Sequence, residues 1–206
     1  QGQMLWQYAN GRGEAFLQAQ PAANKGYGNA VTTARDVTDR SYACQVLLSL
    51  CETVGMRLRK DNQAGRCVTI QLRSSAFETW SHRMQLASAT NVTGEIYHAA
   101  CTLLTQTWDC KTPLRQLGVQ ITQLSDGALR QYSLFDAADY ARQEKLDTAV
   151  DALREKFGEQ ALFRAALLHS EERMAGGLHK SRRTGITKPL EDEAARIRKK
   201  YEKSDG

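Results

Sequence analysis

Apolar residues recur at two periods along this chain, and the changes of period mark out its elements. Residues 29–37, NAVTTARDV, are rich in β-branched side chains and end at Thr38-Asp39, a good helix start. From there Ala43, Leu47, Leu50, Val54 and Leu58 recur at steps of four, three, four and four, which predicts an amphipathic helix stopped by Asp61-Asn62-Gln63-Ala64-Gly65. In RCVTIQLRSS, Val68, Ile70 and Leu72 alternate with Thr69, Gln71 and Arg73, the pattern of a strand buried on one face. HRMQLASAT repeats it, with Met84 and Leu86 inward and Arg83 and Gln85 outward. Asn91 or Thr90 is then expected to cap a second helix carrying Val92, Ile96, Ala99 or Ala100, and Leu103. After Pro113 a last strand turns Leu117, Val119 and Ile121 inward, and Gln116, Gln120 and Thr122 outward.

This order predicts an α+β fold over residues 29–125: a four-stranded split βαβ sheet (β-α-β-β-α-β) with two helices on one face. The other face is left bare, polar and basic, with Arg35, Arg73, Arg83 and Arg115 on it or at its rim. Such a face is either plain solvated surface or a binding surface. Before the sheet, residues 21–28 have linker composition, and residues 1–20 read as the last turn of a preceding unit. After it comes a connector, residues 126–137, then a helical extension over 138–175. Its helix, Ala138 to Phe157, is expected to bury Leu146, Val150 and Leu153 and to stop at Gly158, with a short apolar element from Ala161 to Leu168. Residues 176–206 are charged, poorly periodic and expected to be a flexible basic tail; its clusters Lys180-Ser181-Arg182-Arg183 and Arg198-Lys199-Lys200 could touch phosphates.

Net charge narrows the choice only slightly. At +5, with a pI near 9.0, the chain leans toward an anionic partner such as nucleic acid. Five cysteines without a CxxC pair fit a reducing cytoplasm, with Cys44 and Cys51 read as small buried apolar residues. His98, Cys101 and Cys110 match no zinc spacing. No run of about 18 apolar residues and no signal peptide is present, so neither a membrane span nor secretion is expected.

The connector holds RQYSLFD, residues 130–136. A Leu-Phe pair left in water there forgoes roughly 1.5–3 kcal/mol of burial per side chain. Either Leu134 and Phe135 staple the following helix onto the domain, or they meet another protein.

Several fragments in this order resemble the C-terminal part of the Y-family DNA polymerases, the translesion class that includes bacterial DNA polymerases IV and V (the ImpB/MucB/SamB type). Ala9-Asn10-Gly11-Arg12-Gly13 resembles the end of the family's thumb, A-x-G-x-D, and residues 25–33 resemble its linker K-S-x-G-x-S-T-T. Arg35-Asp36-Val37-Thr38-Asp39 continues into the family's first strand and helix start. Residues 47–59 resemble L-x-x-L-x-x-x-V-x-x-R-L-R, while Ile70-Gln71-Leu72-Arg73 with Phe77-Glu78-Thr79 is similar to L-x-L-R…F-x-T. Residues 113–119 are similar to R-L-L-G-V. Gly13 stands where the family has Asp, and Gly26 and Ala30 where serines are common.

The resemblance implies a thumb end (1–20), a linker (21–28), a little finger that grips DNA (29–125), a clamp-binding connector (126–137), the helical extension and the tail. It implies contacts to primer–template DNA from Thr32, Thr33, Arg35, Arg73, Ser74, Ser75, His82, Arg83 and Arg115, positioning the duplex without reading its sequence. Gln131, Leu134 and Phe135 fit Q-x-x-L-F, which resembles the bacterial sliding-clamp peptide: the amide anchors in a polar pocket and the apolar pair fills the next. The palm carboxylates, in D-x-D-like and S-x-D-E-like sites, do not occur here, and nucleotidyl transfer needs two metals clamped by such groups. No cofactor is therefore expected in this chain. Magnesium would belong to a parent polymerase of cytoplasmic, error-prone repair synthesis and the SOS response. The rival reading is a standalone RNA- or protein-binding α+β module. An RNA-binding sheet of this topology stacks bases on strand aromatics, which VTIQLRSS and HRMQLASA lack.

Overall fold

The protein folds around one sheet, seen in a computed structural model that describes residues 1–13, 24–127, 137–158 and 161–167. The elements are α1 (Gly2–Ala9), β1 (Gly26–Val37), α2 (Arg40–Lys60), β2 (Gln63–Ser74), β3 (Thr79–Thr90), α3 (Thr93–Thr107), β4 (Leu114–Asp126) and α4 (Ala137–Phe157), followed by a 3-10 turn at Ala165–Leu167. The β-α-β-β-α-β order is thus as the alternation predicts. Three boundaries differ: β1 already starts at Gly26, inside the expected linker; the break after α2 shrinks to Asp61 and Asn62; and the last helix starts at Ala137. Asn62 takes φ +49, so the turn reverses the chain in two residues.

Strand order is β1-β4-β2-β3, every neighbouring pair antiparallel. Each crossover therefore has a foreign strand inside it: β4 lies between β1 and β2, and β2 between β3 and β4. Helices α2 and α3 cover one face. Val68, Ile70 and Leu72 of β2 and Leu117, Val119 and Ile121 of β4 point into that layer, against Leu47, Leu50, Val54, Ile96, Ala100 and Leu104. Helix α2 starts where the sequence says it should, with the Asp39 carboxylate accepting from the Tyr42 amide at 2.9 Å. Among the described residues, no helix is long and apolar enough to cross a membrane.

Helix α4 departs from its predicted packing. Leu146 and Leu153 are exposed, at 58% and 45%, while Tyr140, Asp147 and Arg154 form the buried stripe seven residues apart. The reason is charge pairing with α2. Arg154 meets Glu52 at 2.5 Å with both side chains almost fully buried, and Glu52 also pairs with Arg164. Arg59 forks onto Asp151 (2.6 and 3.1 Å) and reaches Asp147 at 3.3 Å. Asp147 further accepts from the Thr93 amide at 2.8 Å, so the cap of α3 comes from α4 and not from Thr90 or Asn91. Thr90 instead accepts from Val92, and Asn91 receives the Tyr140 hydroxyl. Gly158 ends α4 at φ +97, as expected of a C-terminal glycine.

Burial alone would raise the Glu52 pKa, but the hydrogen bond from Arg164 and the charges of Arg154 and Arg164 outweigh it and hold the carboxyl below its usual range. Its contribution to stability is therefore complete above the unfolded value of about 4.3 and lost as pH falls through the lower folded value. Replacing Glu52 by Ala leaves Arg154 buried and unpaired, which should cost about 3–5 kcal/mol and lower Tm by about 10 °C in calorimetry. In Glu52→Gln the loss of stability below about pH 4 should flatten; an unchanged acid limb would take Glu52 out of the network.

Candidate nucleic-acid interface

Antiparallel register arranges the uncovered sheet face in rows, read from β1 across β4 and β2 to β3. One row is Thr32, Gln116, Arg73 and Thr79; the next is Ala30, Gly118, Gln71 and Ser81; the third is Gly28, Gln120, Thr69 and Arg83. None of these positions is acidic or aromatic. Rows lie about 7 Å apart along the strands and neighbouring strands about 4.8 Å apart. Arg73 and Arg83 thus sit two rows apart on adjacent strands, both exposed. Small residues fill the middle row at β1 and β4, where a Cβ on Gly118 would lie 3.1 Å from the Ala30 Cβ.

At the Arg73 end, the strands close in a built corner. Ser74 exchanges backbone hydrogen bonds across the β2–β3 turn, its amide donating to Glu78 O at 2.8 Å, and its hydroxyl accepts from the Glu78 amide at 3.1 Å. Phe77 in that turn adopts φ +67 and stands 75% exposed, with the Arg73 guanidinium 5.1 Å from its ring centre. The Ser75 amide donates to Pro113 O at 3.1 Å, and Ser75 itself is exposed. On β1, register slips between Thr32 and Val37. Thr33 ties the slip down: its buried hydroxyl lies 2.7 Å from Arg35 O and 3.1 Å from Arg115 O. Arg35 is thereby turned outward, 4.8 Å over the Tyr42 ring. Arg115 donates to Ala34 O at 3.0 Å and pairs loosely with Asp36 at 3.7 Å.

Of the residues expected to contact DNA, Thr32, Arg73 and Arg83 share the open face, and Arg35, Ser75 and Arg115 edge it. Thr33 and Ser74, both 1% exposed, keep their hydroxyls within the fold. His82 pairs in register with Ile70 and so points to the helical side of edge strand β3, although it is exposed there. Gln71, Gln116, Gln120 and Thr69 complete the face; they were legible as outward-pointing but carried no charge to single them out. Gln131, Leu134 and Phe135 lie outside the described residues, as does the basic tail. Among the described residues, no cluster of three His, Cys, Asp or Glu side chains could hold a metal ion.

Thr33→Val and Ser74→Ala should each lower stability by about 1 kcal/mol in urea unfolding. His82→Ala should stay within about 0.5 kcal/mol of the parent. A Thr33→Val protein as stable as the parent would free that hydroxyl for another role.

Residues 24–134 match the impB/mucB/samB family C-terminal domain. Among curated proteins, the chain is 34% identical over 172 residues to the DNA polymerase IV of Clostridium acetobutylicum, which covers 84% of this chain and 43% of that protein. It is 33% identical over 172 residues to DNA polymerase IV 2 of Bacillus subtilis, with 81% and 41% covered. The chain thus spans less than half the length of these relatives. Solved structures like it include the little finger domain of PolIV in complex with the β-clamp processivity factor, at TM-score 0.41 and 18% identity over 53% of this chain and 98% of that one. DinB from Sulfolobus solfataricus is another, at TM-score 0.41 and 17% identity over 57% and 33%.

Proposed function

The chain belongs to the impB/mucB/samB family, whose C-terminal domain occupies residues 24–134, and from that premise we propose that it is the DNA-gripping, clamp-tethering part of an error-prone translesion polymerase. The observation that carries this reading is the open sheet face: three polar rows without a carboxylate, with Arg73 and Arg83 exposed on it. Four strands put their outer axes about 14 Å apart, close to the roughly 12 Å width of the B-DNA major groove. Arg73 and Arg83 hold phosphates, Arg35 and Arg115 steer from the rim, and the glutamines and threonines donate to backbone oxygens. None of these contacts requires a particular base pair. That neutrality suits a protein that must grip damaged DNA of any sequence.

Gln131, Leu134 and Phe135 then tether the assembly to the bacterial sliding clamp, raising the local concentration of the polymerase at the primer end. Chemistry, with its magnesium and palm carboxylates, belongs to a parent polymerase acting in the cytoplasm during damage tolerance. This chain contributes affinity and placement. The rival RNA-binding reading is disfavoured because the three rows offer no ring on which a base could stack.

Binding of the chain to a primer–template duplex, followed by fluorescence anisotropy, should weaken linearly in log salt. Arg73→Ala/Arg83→Ala should flatten that slope by about 1.8, two phosphate contacts at about 0.9 each. An unchanged slope would remove the sheet face from the interface. Calorimetric titration into a bacterial sliding clamp should give binding by the parent and none by a folded Leu134→Ala/Phe135→Ala variant; equal binding by both would return the pair to the core.

A further inference from the structure

Two of the five cysteines meet across the helical layer. Cys44 on α2 and Cys101 on α3 are 57 residues apart in sequence, yet their Sγ atoms lie 3.5 Å apart, the Cys101 thiol donating to Cys44. Both are half-buried, within reach of a small solute, so Cys44 is not the enclosed apolar residue that its seven-residue spacing from Cys51 predicts. Cys51 and Cys67 are enclosed, at 0% and 6% exposure, and Cys110 lies apart in the α3–β4 loop.

The hydrogen bond from Cys101, helped by the Arg40 charge and opposed by burial and by Asp39, brings the Cys44 thiol down to about 7. Cys101 moves the other way, because it keeps the shared proton and is itself partly buried. Burial pushes the enclosed Cys51 up and leaves it unreactive. One accessible sulfur that ionises readily, beside a second that can resolve it, is the arrangement of a peroxide-sensitive pair.

We infer that Cys44 and Cys101 are a reversible redox pair that closes into a disulfide joining α2 to α3 when the protein meets hydrogen peroxide. The Cys44 thiolate attacks one peroxide oxygen; the O–O bond breaks and hydroxide leaves, to be protonated to water. The sulfur has then lost two electrons and stands as sulfenic acid. Cys101 attacks that sulfur and gives up its proton, the S–O bond breaks, and a second water departs. In sum, two thiols and one hydrogen peroxide become one disulfide and two waters. A dithiol reductant reverses the link by exchange, becoming a disulfide itself. Closure requires the sulfurs to approach from 3.5 Å to about 2.05 Å, a movement of side chains on helices already packed together. The link lies in the helical layer and leaves the open strand face untouched.

The full chain, folded and treated with hydrogen peroxide, is alkylated and mapped by mass spectrometry. The expected result is loss of two hydrogen atoms, a Cys44–Cys101 linked peptide pair, and recovery in dithiothreitol. The oxidised protein should melt about 5 °C or more above the reduced one, since the link closes a long loop. Cys101→Ser should instead accumulate a sulfenic acid at Cys44 that dimedone traps. Five free thiols after treatment, bridges that use Cys51, Cys67 or Cys110, or the same two-hydrogen loss in Cys101→Ser would each overturn the inference.

Discussion

The central strands β2 and β4 govern the rest of the structure, because each can bury only one of its faces. Val68, Ile70 and Leu72 stand in register with Ile121, Val119 and Leu117, and all six are at most 2% exposed. A slip of one residue between these strands would turn the whole apolar set to water. That constraint fixes the opposite face at the same time. The residues between the apolar ones, Thr69, Gln71 and Arg73 on β2 and Gln116, Gly118 and Gln120 on β4, must line up as polar rows. The surface proposed to grip DNA is thus the complement of the core, and neither can change register without the other.

This coupling explains why so much of the architecture can be read from sequence. Period-two alternation names the strands and both of their faces, and the steps of three and four name α2. The Asp39 cap is local, three residues from the amide it receives, so it too is visible in the sequence. Strand order is not, because the contacts that put β4 between β1 and β2 join residues 40 to 96 apart. Thr33 and Ser74 show a different limit. A hydroxyl that tidies a bulge and a hydroxyl offered to a phosphate are the same residue in sequence, and only the register slip after Thr32 and the turn after Ser74 tell them apart. His82 is misplaced for a third reason: on an edge strand a side chain can point to the helical side and still be wet, so exposure does not report the face.

Helix α4 is where sequence reading fails most instructively. Its leucines have helical spacing, yet the stripe that docks is Tyr140, Asp147 and Arg154, because the complementary charges Glu52 and Arg59 lie about a hundred residues upstream, on α2. Periodicity counts apolar residues and is blind to a buried face made of paired charges. Such a face adds little net stability, since desolvating the ions offsets most of their attraction. What it adds is register. A leucine seam tolerates sliding by a turn with modest loss, whereas sliding here would leave Arg154 or Glu52 charged, buried and alone.

The pairing also makes α3 depend on α4. The carboxylate of Asp147 serves three partners, the Arg59 and Arg164 guanidinium groups and the Thr93 amide, so the same side chain that fixes the position of α4 closes the open N-terminus of α3. An amide at that point, fully buried beside a carboxylate, would be unsatisfied without it. The extension is therefore not an appendage resting on a finished domain: the second helix of the split βαβ sheet takes its cap from it. Because the charge pairs of α4 run to α2 and Asp147 runs on to the start of α3, this dependence is met, among the described residues, without covering any of the three polar rows. The fold gains a third helix in fixed register while the face opposite stays open for a partner.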